Sequence, residues 1–386
     1  MFDFEFHNPT KIIFGRDRFA CLDQLVPASS KVLLTYGGES ARKYGTLDKT
    51  RAALKNRTIL EFGGIEPNPH FETLMKAVEM VRAEKISFLL AVGGGSVIDG
   101  TKFISLFSPY AGDPFSLLVR RSIGTDLADK AIPFGAVSTL PATGSEMNNR
   151  GVISHGQGKY PFLSPLSFPL FSLVDPSLTF TLPPAQVANG VVDAFVHTTE
   201  QYLTFPVDGR LQDRIAEGIL LTLLEIGETT LSEPDNYPAR ANLCWCATMA
   251  LNGLTGAGVP QDWATHMIGH ELTALFGIDH GQSLAVILPA LLEARREKKR
   301  DKLLQYAGRV WDIRQGGEDE RISASISRTR EFFERLGVRT RLSAYGVGAG
   351  DIPAIVDNLR AHGRTALSER GDLTLEISRS ILESAL

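Results

Sequence analysis

Cysteine is scarce: Cys21, Cys244 and Cys246 are the only three in 386 residues. So small and odd a set excludes a disulfide framework and points to a reducing, cytoplasmic setting. Cys244 and Cys246 are two apart, so on a helix they face different ways. They read as small buried residues rather than a redox or metal pair. A basic excess is also missing. The formal net charge is −4, which argues against nucleic acid as a partner. Long apolar runs are absent: SFLLAV and GILLTLL are far too short to span a bilayer, so no membrane association is expected. The opening MFDFEFHNPT has neither a basic n-region nor an apolar core and does not read as a signal peptide. There is no internal repeat and no low-complexity tract.

What is present is ordinary globular composition, 43% hydrophobic and 22% charged, in a chain long enough for two domains. Residues 2–7 alternate strictly, with Phe2, Phe4 and Phe6 on one side and Asp3, Glu5 and His7 on the other. This predicts a half-buried strand, and Thr10 to Phe14 reads as a second. Such a pair leaves an open edge, and a homodimer formed through these N-terminal edge strands is the expected cover. Apolar runs KVLLTY (31–36), TILEFGG (58–64), SFLLAV (87–92), AIPFGAVSTL (131–140) and PLFSLVDP (169–176) then alternate with helical stretches. The pattern predicts a doubly wound, Rossmann-like parallel-sheet α/β domain over residues 1–182. At Pro183-Pro184 the character changes. Residues 183–386 read as helices only, with the small-residue stretch 241–257 as a central one.

Gly93-Gly94-Gly95-Ser96 stands between the strongest strand and a helix start, with Asp99 and Lys102 in the first two turns. It is neither GxGxxG nor a Walker loop. Glycines let backbone approach a ligand closely, and a helix N-terminus offers free N–H groups and a positive dipole end. The corner is therefore a candidate cradle for a nucleotide pyrophosphate, at the carboxyl end of a parallel strand. After the strand ending at Tyr36, an acidic residue would bond a ribose 2′-hydroxyl and repel a 2′-phosphate. Positions 37 and 38 are Gly37 and Gly38 instead, Ser40 can donate, and Arg42 and Lys43 are close. Glu39 cuts the other way. The balance favours NADP(H) over NAD(H).

The window from Asp193 to His280 holds Asp193 and His197 four apart, His266 and His270 four apart, and His280. Residues four apart share a helix face. One carboxylate and several imidazoles suit a single divalent ion such as Fe²⁺ or Zn²⁺ and suit Mg²⁺ or Ca²⁺ poorly. Spacing does not say which four of the five bind.

Taken together, GGIEPNP (63–69), AVGGGSVIDGTKF (91–103), STLPATGSE (138–146), TLPPAQVANGVVDAFVHTTEQY (181–202) and GVPQDWATHMIGHELTALFGIDHGQSLAVILP (258–289) resemble the iron-containing, group III alcohol dehydrogenase family. The likeness is to its butanol dehydrogenase and NADPH-dependent aldehyde reductase branch. The resemblance implies a dehydroquinate synthase-like fold: a nucleotide-binding α/β domain followed by an all-helical metal- and substrate-binding domain. It implies Asp193, His197, His266 and His280 as metal ligands, and His270 as a non-ligand histidine near the nicotinamide. It implies Gly94, Gly95, Ser96 and Asp99 on the cofactor's phosphates and nicotinamide ribose. Thr139, Leu140, Ser145, Asn148, Lys159 and Leu182 match positions lining the cofactor cleft. The glycines at 37 and 38 are similar to those of NADP-using members, and residues 147–168 depart from the branch pattern. The expected activity is hydride transfer between NADPH and a small aldehyde or alcohol, the metal polarising the substrate oxygen and His270 relaying a proton. Three rival readings are a dehydroquinate synthase-type lyase, an NAD-dependent polyol dehydrogenase and a non-catalytic nucleotide-binding module. The lyase would need a basic pocket. Trp263, Met267, Ile268 and Phe276 around the ligands favour a small apolar substrate instead.

Overall fold

The structure is a computed structural model and describes residues 1–119 and 130–386. Its chain forms two units, His7–Leu182 and Met1–Phe6 with Pro183–Leu386.

In the first unit six apolar runs become one parallel sheet. The strands are β1 (Lys11–Phe14), β2 (Lys31–Tyr36), β3 (Thr58–Phe62), β4 (Phe88–Gly93), β5 (Phe134–Ser138) and, after a hairpin, β8 (Phe171–Val174). Their order is β1-β8-β5-β4-β2-β3. The inner strands β2, β4, β5 and β8 are buried and largely apolar because both faces are covered, whereas the edge strands β1 and β3 are more exposed. Leu33, Leu89 and Ala91 join one core with Leu74, Val78 and Ile98. Val32, Leu34, Phe88, Leu90 and Val92 join another with Leu22 and Leu47. The helix Phe71–Glu84 buries Leu74, Ala77, Val78 and Val81, one helical stripe. From β2 the chain steps to β3 on one side and then to β4 on the other. This reversal makes the carboxyl ends of β2 and β4 the place where an open α/β sheet takes a ligand. Gly37-Gly38 follows β2, and β4 ends at Gly93.

Several expectations need correction. Residues 2–7 are not a strand; only Lys11–Phe14 is, and it pairs in parallel with β8. Phe2, Phe4 and Phe6 are 49%, 50% and 45% exposed. Alternation assigns faces, but a strand also needs a partner edge. The Phe2 N–H instead donates to the Gly258 carbonyl at 2.8 Å. A hairpin not foreseen, β6 (Arg150–His155) and β7 (Gly158–Leu163), turns at Gly156 with φ +55°. The Ser154 N–H ties it to the Pro69 carbonyl at 2.9 Å. The helical stretch after β2 breaks at Gly45, φ +74°, into Ser40–Lys43 and Thr46–Ala53.

The second unit is helical, with one exception to the all-helical expectation. Ala366–Leu367 (β9) and Leu373–Thr374 (β10) pair antiparallel, too short to show any period. Its central helix is Pro184–Tyr202, buried continuously from Gly190 to Tyr202. The stretch 241–257, expected as the central helix, is helical only to Ala250, within Tyr237–Ala250, and leaves Trp245 42% exposed. Cys244 and Cys246 are buried on that helix and form no disulfide, as expected of small core residues.

Candidate metal centre and nucleotide corner

Three helices supply the candidate ligands: Pro184–Tyr202 carries Asp193 and His197, Ala264–Phe276 carries His266 and His270, and His280–Ala294 begins at His280. Glycine lets them meet. A Cβ on Gly281 would lie 2.6 Å from the Asn189 carbonyl oxygen, and one on Gly269 would lie 2.9 Å from Ser283 Oγ. Only backbone without side chains permits such approach.

Asp193 is the hub. Its Oδ1 lies 3.5 Å from His197 Nδ1, 3.7 Å from His266 Nε2 and 3.6 Å from His280 Nε2. Ligand atoms at about 2.1 Å from one tetrahedral ion would sit roughly 3.4 Å apart, close to this spacing. Ligand atoms of Asp193, His266 and His280 all fall within 4.8 Å of one another. His197 stands beside that group, its ring stacked on His266 at 4.6 Å and 19°. His270 packs nearby, its ring 5.5 Å from that of His280 and 6.2 Å from that of His266. Asp193 Oδ1 and His266 Nε2 are buried without hydrogen-bond partners. Orphaned polar atoms are costly to bury, and an oxygen with convergent imidazole nitrogens is a donor set for a borderline cation. The residues therefore fit one divalent iron or zinc ion. Burial alone would push the Asp193 carboxyl up, but the facing imidazoles of His197, His280 and His266 hold it well below the usual range.

Glu200 was not anticipated. One oxygen accepts from the His266 backbone N–H at 3.1 Å, and the other contacts His266 Nδ1. It thereby fixes the ring with Nε2 toward Asp193. Burial depresses the His266 imidazole, yet Glu200 and Asp193 outweigh it and raise the group to about 9. The signal was legible: Asp193, His197 and Glu200 stand at i, i+4 and i+7, one helical stripe. Trp263 packs edge-on against His197 and His266, with ring centres at 6.2 and 5.5 Å.

In the other unit the Gly-rich corner opens the helix Gly95–Phe107, with Gly94 as its extended N-cap. A Cβ on Gly94 would lie 3.0 Å from Leu140 Cβ, and one on Gly95 would lie 2.5 Å from Thr143 Oγ1. The Thr139 N–H donates to the Gly93 carbonyl at 3.0 Å. Asp99 accepts from Ser145 Oγ at 2.5 Å and from the Val152 N–H at 2.9 Å. Asn148 Oδ1 accepts from Lys102 Nζ at 2.8 Å. Lys159 Nζ donates to Asn68 Oδ1 at 2.8 Å, while the Asn68 N–H donates to Ser96 Oγ at 3.2 Å. Asn68 was missed; it sits at φ +55° in the EPNP turn, where Asn is tolerated. Burial pushes the Lys102 ammonium down to about 8, against the pull of Asp99 and Glu146. Ser40, Thr139 and Leu182, with Tyr44, Leu178 and Thr181, line a hollow of about 160 Å³. A Cβ on Gly37 would meet the Ile65 carbonyl oxygen at 3.1 Å, whereas one on Gly38 meets nothing within 4 Å.

Known proteins resemble this chain along most of its length. The model of the iron-containing alcohol dehydrogenases matches residues 9–176, and that of the C-terminal region of the Fe-containing alcohol dehydrogenase family matches residues 187–375. The chain is 57% identical to the NADPH-dependent aldehyde reductase YqhD of Escherichia coli (strain K12), covering 100% of both. It is 37% identical to the probable NADH-dependent butanol dehydrogenase 1 of Bacillus subtilis (strain 168), again covering 100% of both. The crystal structure of E. coli K-12 YqhD superimposes with a TM-score of 0.98 at 56% identity, covering 100% of this chain and 99% of that one. NADH-dependent butanol dehydrogenase A from Thermotoga maritima gives 0.94 at 34% identity, covering 100% and 99%. The parallel six-stranded sheet with its helices and the helical second half are thus those of a known group of enzymes, and the chain belongs to the iron-containing alcohol dehydrogenase family.

Proposed function

We propose that this enzyme is a metal-dependent aldehyde reductase that transfers hydride between NADPH and small aliphatic aldehydes. The observation that carries the reading is the buried, partnerless Asp193 Oδ1 with three imidazole nitrogens 3.5–3.7 Å away. The likeness to YqhD and the open backbone at Gly38 support NADPH over NADH. Asp193, His197, His266 and His280 would hold one Fe²⁺ or Zn²⁺, which when bound supplies Lewis acidity toward the substrate oxygen. The nicotinamide, when bound, supplies the hydride.

The chain's own residues do the rest. Backbone N–H groups at Gly94, Gly95 and Ser96, at a helix N-terminus, take the pyrophosphate. Asp99, oriented by Ser145, serves the nicotinamide ribose, with Asn148 and Lys159 beside it. Gly37, Gly38 and Ser40 admit the 2′-phosphate, and Thr139, Leu140 and Leu182 seat the adenosine half. Glu200 holds the His266 Nδ1 proton, leaving Nε2 free to bind. Trp263, packed edge-on against His197 and His266, supplies apolar wall against water. His270 passes a proton to the product oxygen. The division of labour is a nucleotide-binding domain over residues 7–182 and a metal- and substrate-binding domain over 183–386, with residues 1–6, expected in the first domain, grouped with the second.

A homodimer is part of this reading. The edge strand β1 and the exposed Phe2, Phe4 and Phe6 support association through the N-terminal segment. A cytoplasmic setting is supported by three cysteines that form no disulfide. Among the described residues no helix is long and apolar enough to cross a membrane.

The test is NADPH and NADH oxidation over a panel of aldehydes, with metal-stripped and Fe- or Zn-reloaded protein. Turnover should vanish on stripping, return on reloading and favour NADPH. Full turnover by stripped protein would overturn the reading. His270→Ala should lower kcat and alter its pH profile; an unchanged profile would remove the relay role.

A further inference from the structure

Away from the ligands, the helical unit buries a second group of charges. Lys299 is 2% exposed. Its Nζ lies 2.8 Å from Asp262 Oδ2 and 3.2 Å from Glu369 Oε2, and it donates to the Leu203 carbonyl at 2.6 Å. Each partner has a defined place. Leu203 is the C-cap of the helix that carries Asp193, His197 and Glu200, where helix carbonyls are left without intrahelical donors. Asp262 precedes the helix that carries His266 and His270. Its Oδ1 accepts from the N–H of Ala264, the first residue of that helix, at 3.0 Å. Its own N–H donates to the Glu200 carbonyl at 2.8 Å. Glu369 lies in the turn between β9 and β10, and that turn is held again where Arg295 pairs with Asp372. One ammonium therefore ties the end of the first ligand helix to the start of the second.

A buried ion pair is a weak source of stability compared with apolar side chains of the same volume. What it does supply is fixed position, because two carboxylates and a backbone carbonyl must converge on one nitrogen. His266 lies four residues beyond Asp262, and Glu200 three before Leu203, so a slip at Lys299 moves the two helices that must meet at Asp193. We propose that Lys299, with Asp262 and Glu369, is a positioning cluster that sets the register of the His266 helix against the Asp193 helix and thereby the affinity for the metal. This rests on the assignment of Asp193, His266 and His280 as ligands.

The test uses the full-length enzyme with Zn²⁺ as probe. Lys299→Met removes the tie. Asp262→Asn keeps the volume and the Oδ1 cap of the Ala264 N–H while turning an amide toward Lys299, so it carries the test if Lys299→Met does not fold. Zn²⁺ affinity is measured by competition with a chromogenic chelator. Thermal unfolding of metal-stripped protein and KM for NADPH are measured beside it. The expected result is a fall in Zn²⁺ affinity of roughly 10-fold or more for each variant. The double variant should lose little beyond the worse single one, because the two residues act as a unit. KM for NADPH should not move. A purely structural role would lower the unfolding temperature of stripped protein and leave Zn²⁺ affinity of the folded variants at wild-type level, and that result overturns the proposal. Wild-type protein that binds no Zn²⁺ would overturn the ligand assignment and this inference together.

Discussion

Replacing Glu200 with Gln tests the ligand geometry without disturbing packing. Glu200 is 4% exposed and meets His266 twice, at the backbone N–H and at Nδ1. Gln has the same shape but only one acceptor oxygen. If that oxygen turns to Nδ1, the amide nitrogen faces the His266 N–H and leaves a buried donor unsatisfied, at about 1–3 kcal/mol. If it turns the other way, the amide donates to Nδ1 and the ring must carry its proton on Nε2, the atom that should bind metal. Both arrangements weaken the site. Loss of such a supporting partner costs about 10–100-fold in metal affinity, which is about 1.4–2.8 kcal/mol. Glu200→Ala should cost more, because both donors lose their acceptor. The assay is metal content after dialysis against graded chelator, read beside NADPH affinity, which should be unchanged. Wild-type metal retention by Glu200→Gln would refute the argument that Glu200 fixes the His266 ring.

Three further outcomes follow from the nucleotide unit. Gly38→Asp enters open space, since a Cβ there meets nothing within 4 Å. Its carboxylate should cut the NADPH-to-NADH ratio of kcat/KM by roughly 10-fold or more through repulsion of the 2′-phosphate; an unchanged ratio would place that phosphate elsewhere. Gly95→Ala puts a Cβ 2.5 Å from Thr143 Oγ1, so denaturant melts should show a loss of about 1–3 kcal/mol. Lys102 is held down to about 8 by burial, whereas the unfolded chain keeps that proton to about pH 10.4. Between these limits the unfolded state binds more protons, so stability should rise with pH. The gain approaches about 3 kcal/mol at most and should be missing in Lys102→Met. Parallel stability profiles for the two proteins across that window would rule out a depressed Lys102.

Legibility followed the packing. KVLLTY and SFLLAV were readable as strands because parallel strands buried on both faces need apolar residues at every position. The hairpin Arg150–Leu163 was not readable. Gly151, Gly158 and Pro161 interrupt its alternation, and its place is set by a bond from Ser154 to Pro69, far off in sequence. Phe2, Phe4 and Phe6 gave the opposite error. Their alternation is real, but alternation says which residues share a face and is silent on whether a neighbouring edge exists to complete the ladder.

The candidate centre divides along the same line. Asp193 with His197, and His266 with His270, were readable because a helix turns a four-residue spacing into a shared face. His280 and Lys299 acquire their places only when three helices meet, and no local period encodes that meeting. Some of the missing information lies in the small residues. Gly269 and Gly281 stand where a Cβ would come within 2.9 and 2.6 Å of the facing helix. Each marks the strip along which two helices touch, and His270 and His280 are their immediate neighbours in sequence. A histidine beside a glycine that cannot carry a side chain is therefore a stronger sign of convergence than a histidine on an open helix face. The glycine fixes how close the backbones come, and that distance decides whether an imidazole can reach a carboxylate on another helix.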